Sequence, residues 1–183
     1  MRDEEIVVAI VGAANECGYD LYQSAGERGL PVAEWRLYDT AEAIAASPED
    51  DFPMRVLADA DFDGVDVAFL CGGSEQSAAE LPRVKRAGAV AIDVRHAFAG
   101  REDAVLMVPE VNSDVAEVAF EMREVSCPVP GAAALSIVLN PIEQAAVLRR
   151  VVVTCLESVG TAEMHSGIRS TKTPSAPILA RDF

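Results

Sequence analysis

The chain has 183 residues, half of them hydrophobic, and a formal net charge of −15 from 30 acidic and 15 basic side chains. That length supports one sizeable core, and the apolar fraction is that of a globular protein. The acidic excess argues against a nucleic-acid partner and against anionic membrane surfaces, and no apolar run approaches the ~20 residues that span a bilayer. The charged start Met1-Arg2-Asp3-Glu4-Glu5 leads straight into an apolar segment, with no signal-peptide pattern, so a soluble cytoplasmic protein is expected.

Strands alternate with helices along the chain, as in a doubly wound, mostly parallel α/β sheet of Rossmann-like type. Residues 6–11 are continuously apolar and read as a strand buried on both faces. A helix is expected from about Asn15 to Glu27, closed by Gly29 and Pro31, then a strand over 32–38 that ends at Asp39. Residues 40–51 read as irregular or weakly helical, and 54–57 as a short edge strand. A buried strand over 65–71 enters an amphipathic helix over 75–87 through Gly72, Gly73 and Ser74, followed by a strand over 89–93. Residues 105–108 and 124–127 read as short extended pieces. After the break at Pro128-Val129-Pro130-Gly131 a helix is expected over 132–139, interrupted at Pro141. Residues 151–156 read as the last strand, and the polar stretch 160–183 as a poorly packed tail beyond a domain over 1–159.

The run Ile6 to Gly18 carries the chemistry. Strand, glycine turn and helix together aim backbone N–H groups and a helix N-terminus at a phosphate. Gly12 permits a sharp turn off the strand and Gly18 a close helix–sheet approach, with Ala14, Asn15, Glu16 and Cys17 between them. Asn15 stands where a diphosphate usually presses on the loop; it tolerates left-handed backbone, but its side chain takes up space the ligand would use. A plain turn without a ligand is the competing reading. Asp39, 21 residues after Gly18, is placed to bond ribose hydroxyls and to repel a 2′-phosphate, or simply to cap the next loop. Gly72, Gly73 and Ser74 open a helix at the carboxyl edge of the sheet, where they either line the nicotinamide side or form a capped turn. Arg95 and His96 lie beside that crevice as anion-binding candidates or as solvated loop residues.

Cys17, Cys71, Cys127 and Cys155 show no C-x-x-C pairing and no histidine at ligand spacing, so they read as buried free thiols rather than zinc ligands or disulfides. His96 and His165 suggest no metal site.

The segments VAIVGAANECG (8–18), VDVAFLCGGSEQS (65–77), GAVAIDVRHAF (88–98), VPEVN (108–112), LNPI (139–142) and RRVVVTCLESV (149–159) occur in an order and spacing similar to the N-terminal, dinucleotide-binding part of the aspartate-semialdehyde dehydrogenase family. The chain resembles a Usg-type non-catalytic paralog or a truncated member of that family. The resemblance implies NAD or NADP as cofactor, and Asp39 favours NAD.

It also implies a cysteine thiolate opening a helix, activated by the helix N-terminus or a cationic neighbour. Counted back from Pro141 without gaps, that turn falls on Cys127-Pro128-Val129-Pro130, and the nucleophile's position is Pro130. The family's substrate-orienting glutamine falls on Leu156, its substrate-binding arginine on Ala99, and an asparagine near the cofactor on Val94. Cys127 serves as nucleophile only after a three-residue shift, and a strand-end thiol is the plainer reading. The family's second domain, with its catalytic histidine and dimer interface, would follow residues 151–156, and none is expected here.

Three functions follow: a catalytically inactive dinucleotide-binding protein, an NAD(P)-dependent semialdehyde dehydrogenase, or an interaction module with no cofactor. The expected strand at 151–156 would leave an apolar sheet edge for the tail, a second copy or a partner chain to cover.

Overall fold

The computed structural model describes residues 5–47 and 53–154. Contacts divide the chain into two units, Met1–Val147 and Leu148–Phe183. The first holds a six-stranded, all-parallel sheet in the order β3-β2-β1-β4-β5-β6, made of β1 Ile6–Val11, β2 Val32–Asp39, β3 Met54–Val56, β4 Val67–Leu70, β5 Val90–Asp93 and β6 Glu124–Ser126. This is the Rossmann-like arrangement expected from the alternation of strands and helices. The chain runs outward from β1 to β2 and β3, then returns to pair β4 on the other side of β1. The topological switch point therefore lies between β1 and β4, where open α/β sheets form a crevice at the carboxyl ends of the strands.

Val8, Ala9, Ile10 and Val11 are fully buried, because helices cover both faces of the central strand. Side chains alternate across the sheet. Ala9 and Val11 join one core with Tyr38, Leu70, Leu81 and Val84, the last two from α3 (Ser74–Arg86). Ile10 joins the opposite core with Leu37 and Cys71, against which Cys17, Leu21 and Tyr22 of α1 (Glu16–Glu27) pack.

The long excursion from β5 to β6 contains two short helices, α4 (Pro109–Asn112) and α5 (Ala116–Met122), which the sequence reading did not identify. Pro109 stands at the start of α4, where a missing N–H costs nothing, and Asn112 closes the turn by accepting from the Val108 N–H at 2.8 Å. The extended piece at 105–108 reduces to a bridge between Leu106 and Ser126. Residues 40–51 contain α2 (Ala41–Ala46), capped by Thr40, whose hydroxyl accepts from the Ala43 N–H at 3.1 Å; residues 48–51 lie outside the described residues.

Two expectations are corrected. α6 runs from Pro130 to Ala145, straight through Pro141. Pro141 removes one i→i−4 hydrogen bond, and the carbonyl it strands belongs to Ile137, on an exposed stretch where solvation keeps the loss cheap. None of the residues of α6 is buried, and Ile137, Val138 and Ile142 face solvent within this unit.

The expected strand at 151–156 is not formed over 151–154, where the backbone is irregular and Val151, Val152 and Val153 are exposed; Cys155 and Leu156 lie outside the described residues. An apolar, β-branched run becomes a strand only with a neighbour to pair, and residues 151–154 belong to none of the ladders described. The described edges of the sheet are β3 and β6. The outer side of β6 is occupied: the Ser126 N–H donates to the Val105 carbonyl at 2.8 Å and the Met107 N–H to the Ser126 carbonyl at 3.2 Å.

Candidate functional site

The loops that leave β1 and β4 meet at the switch point. Gly12 adopts φ +86°, and a Cβ built there would lie 2.6 Å from the Gly72 nitrogen and 2.8 Å from the Cys71 carbonyl carbon. Only glycine fits, on both counts. A Cβ on Gly18 would overlap the Gly12 carbonyl and the Ala13 Cα, so α1 can lie this close to its own entry loop only without a side chain there.

The loop's amides are largely committed. The N–H groups of Gly12 and Ala13 both donate to the Tyr38 carbonyl, at 2.9 and 3.1 Å. The Ala14 N–H donates to Asp39 Oδ2 at 2.9 Å, while Asp39 Oδ1 accepts from the Thr40 N–H at 2.8 Å. Asp39 thus caps its own loop and clamps the glycine turn, and it is buried. The Glu16 and Cys17 amides open α1, where no carbonyl four residues back is available within the helix, and they point the positive end of its dipole into the crevice.

Asn15 does not use the left-handed conformation that its residue type tolerates. Its backbone is extended, at φ −85° and ψ 160°, not left-handed. It is the N-cap of α1: Oδ1 accepts from the Gly18 N–H at 3.0 Å, and Nδ2 donates to the Cys71 carbonyl at 2.8 Å. The side chain ties the two loops together, and both polar ends of its carboxamide are satisfied by the protein.

On the β4 side, Gly73 is the N-cap of α3 with an ordinary φ of −65° and no side-chain cap, and Ser74 is the first helical residue. Nothing lies within 4 Å of a Cβ placed on Gly73, so open space begins there. Gly72 approaches the Gln76 side chain, which is free to move, and its carbonyl accepts weakly from Ser77 Oγ at 3.5 Å.

Three thiols converge on this crevice. Cys17 packs against the core cluster that contains Cys71, and the proximity of the Cys71 thiol holds the Cys17 thiol down to about 7, opposed by burial and Asp20 and aided by Arg95. The same proximity, together with burial, pushes Cys71 up. Burial and the nearby Asp93 carboxylate push the Cys127 thiol up. Arg95 is half-buried, and its positive charge acts on Cys17 and Cys71 in the lowering direction.

Asp93 is a residue that the sequence reading passed over. It is buried at the end of β5, and its Oδ2 accepts from the Phe98 N–H at 2.8 Å and from Ser126 Oγ at 3.0 Å. Its main-chain carbonyl accepts from the Cys127 N–H at 2.9 Å. An acid closing a short apolar strand, inside Ala-Ile-Asp-Val, was the available signal. Val94 packs at the edge of the core on the α1 face, Ala99 lies in the following turn, and Pro130 is the first residue of α6.

Residues 7–119 match the family model described as the semialdehyde dehydrogenase NAD-binding domain. The chain belongs to this family. It is 31% identical over 167 residues to the aspartate-semialdehyde dehydrogenase of Streptomyces akiyoshiensis, covering 86% of this chain and 48% of that protein. It is 27% identical over 160 residues to that of Rickettsia conorii, covering 85% and 47%. The crystal structure of aspartate semialdehyde dehydrogenase II from Vibrio cholerae, complexed with ASA, superimposes with a TM-score of 0.70 at 27% identity, over 78% of this chain and 47% of that one. This family member thus spans about half the length of the curated relatives it matches.

Two outcomes test the geometry. Asn15→Ala removes the cap of α1 and its bridge to Cys71, and urea denaturation should show a loss of about 1–2 kcal/mol. Alkylation of Cys17 by iodoacetamide should rise through a midpoint of about 7, and in Cys71→Ala, which removes the largest cause of the lowering, the midpoint should move up toward the ordinary thiol range.

Proposed function

We propose that this chain is a dinucleotide-binding protein that holds NAD or NADP across the β1–α1 and β4–α3 loops and does not itself perform thiol-dependent semialdehyde oxidation. Gly12 set against Gly72 carries the reading, because a backbone stripped of side chains at the switch point is what a diphosphate needs in order to approach. The Glu16 and Cys17 amides would meet the diphosphate, and Gly72, Gly73 and Ser74 would border the nicotinamide side. The bound group would supply hydride acceptance; the chain's own part is to position it and keep water from its face.

Asp39 supports NAD over NADP. Each of its oxygens accepts one backbone N–H and retains a lone pair for a ribose hydroxyl, whereas a 2′-phosphate would meet its negative charge.

The chemistry of the family's acyl transfer needs a thiolate at the opening of a helix. Pro130 opens α6 and has no sulfur. Cys127 lies three positions ahead of it, outside the helix, with its thiol raised instead of lowered, which is the wrong direction for a nucleophile. Ala99 offers no cation to a substrate anion. The whole relatives' activity, if this chain takes part in it, would have to draw these groups from elsewhere.

Calorimetric titration with NAD and NADP in parallel tests the binding. Saturable heat with NAD, at least tenfold tighter than with NADP, is expected; no heat with either would leave an interaction module. Gly73→Leu is the diagnostic variant: its φ is ordinary and its Cβ meets nothing, so the thermal midpoint should hold while affinity falls at least tenfold. Gly12→Val is uninformative, since the same change would disrupt the fold. Incubation with aspartate semialdehyde, phosphate and NAD or NADP should give no reduced cofactor; turnover abolished by alkylating Cys127 would restore the dehydrogenase reading.

A further inference from the structure

Among the described residues, the half-buried cations are Arg36, Arg83, Lys85, Arg95 and Arg123. Arg36, Arg83, Lys85 and Arg123 each donate to a carboxylate or to a main-chain carbonyl of another element. Arg95 makes no hydrogen bond and no ion pair with the described residues. Taking a guanidinium part-way out of water without a partner costs free energy, so this exception calls for an anion that the chain itself does not supply.

The backbone puts Arg95 at the mouth of the crevice. Leu70 and Asp93 are paired where β4 and β5 end, and the Val94 N–H still donates to the Leu70 carbonyl at 3.2 Å. Val94 then packs on the core cluster shared by Cys17 and Cys71, on the α1 face of the sheet. Two residues beyond the last pair, β4 leaves through Gly72 and β5 through Arg95. β5 lies two strand spacings from β1, roughly 10 Å, which a long side chain and a bound diphosphate bridge together. The charge of Arg95 is felt at Cys17 in the first turn of α1 and at Cys71 beside Gly72, the two loops that frame the opening.

We propose that Arg95 is the cation of the dinucleotide site, its guanidinium pairing with the ligand's diphosphate from the β5 side. The inference rests on the dinucleotide-binding reading given above. The glycine loop is short of donors for such a ligand: the Gly12, Ala13, Ala14 and Gly18 amides are bonded within the protein, which leaves Glu16 and Cys17. The chain also carries a net charge of −15, whose field opposes the approach of an anion. A local arginine offsets both deficits, because its planar fork matches two phosphate oxygens at once. Asp39 stands on the opposite flank of β1, at the end of β2, so the two charges bracket the ligand: the acid at the ribose hydroxyls and the cation at the diphosphate.

Calorimetric titration compares the full chain with Arg95→Gln, which keeps most of the side chain's length and loses its charge. Arg95 has no bond for the substitution to break, so the thermal midpoint without ligand should hold. NAD and ADP-ribose share the diphosphate, and both should bind the variant at least tenfold more weakly. Raising the potassium chloride concentration should narrow the difference between the two proteins, and Arg95→Lys should recover part of the affinity. Equal NAD affinity in the parent and in Arg95→Gln would overturn this assignment and leave the dinucleotide reading standing. A loss for NAD with ADP-ribose unchanged would also overturn it, because the guanidinium would then face the nicotinamide group. An Arg95→Gln protein that melts well below the parent, with neither stability nor affinity regained in Arg95→Lys, would make the residue structural. No heat from the parent chain with either ligand would overturn this assignment and the dinucleotide reading together.

Discussion

The site depends on one steric fact: the backbone of Gly12 lies against the backbone of Cys71 and Gly72 with no room for a single carbon between them. Two adjacent parallel strands ordinarily send their exits apart into helices on opposite faces. Here the exits touch before they diverge, and the remaining contacts secure that touch. Tyr38 and Asp39 hold the glycine turn from the β2 side through three N–H groups, and Asn15 holds it from the β4 side. The loop is hydrogen-bonded on both flanks, and the amides it leaves toward the crevice are those of Glu16 and Cys17.

Nucleophilic character has shifted within this framework. The position at the head of α6 that the family resemblance marks for a thiolate is a proline, and the sulfur nearest to it is raised by burial and by Asp93. The one described cysteine whose thiol is lowered, Cys17, stands in the first turn of a different helix, with Cys71 as the largest cause of the shift.

The sequence made the sheet legible because buried parallel strands leave a strong trace: an unbroken apolar run such as 6–11, bounded by glycine, admits few alternatives. The glycine turn, the placement of Gly72 and Gly73, and the edge position of β3 followed from the same pattern. The bridging role of Asn15 was not legible because it is set by Cys71, 56 residues away, and no local rule supplies that partner. The helices α4 and α5 are too short for a clear period and were hidden in a polar stretch. Pro141 was read as a terminator because local sterics favour that reading, whereas an exposed helix tolerates the loss of one hydrogen bond. Residues 151–154 carry the composition of a strand without the neighbour that makes one.

The excursion between β5 and β6 has a further meaning. It departs with Phe98 donating its N–H to Asp93, and it returns with Ser126 and residues 105–107 laced together beside the same carboxylate. Both ends of the detour are thus stitched to one residue, so β5 and β6 keep their register however the detour is built. Between those two stitches the detour sends only Phe98 and Ala119 deep into the interior, so its other residues lie outside the fully buried core while its ends fix the sheet.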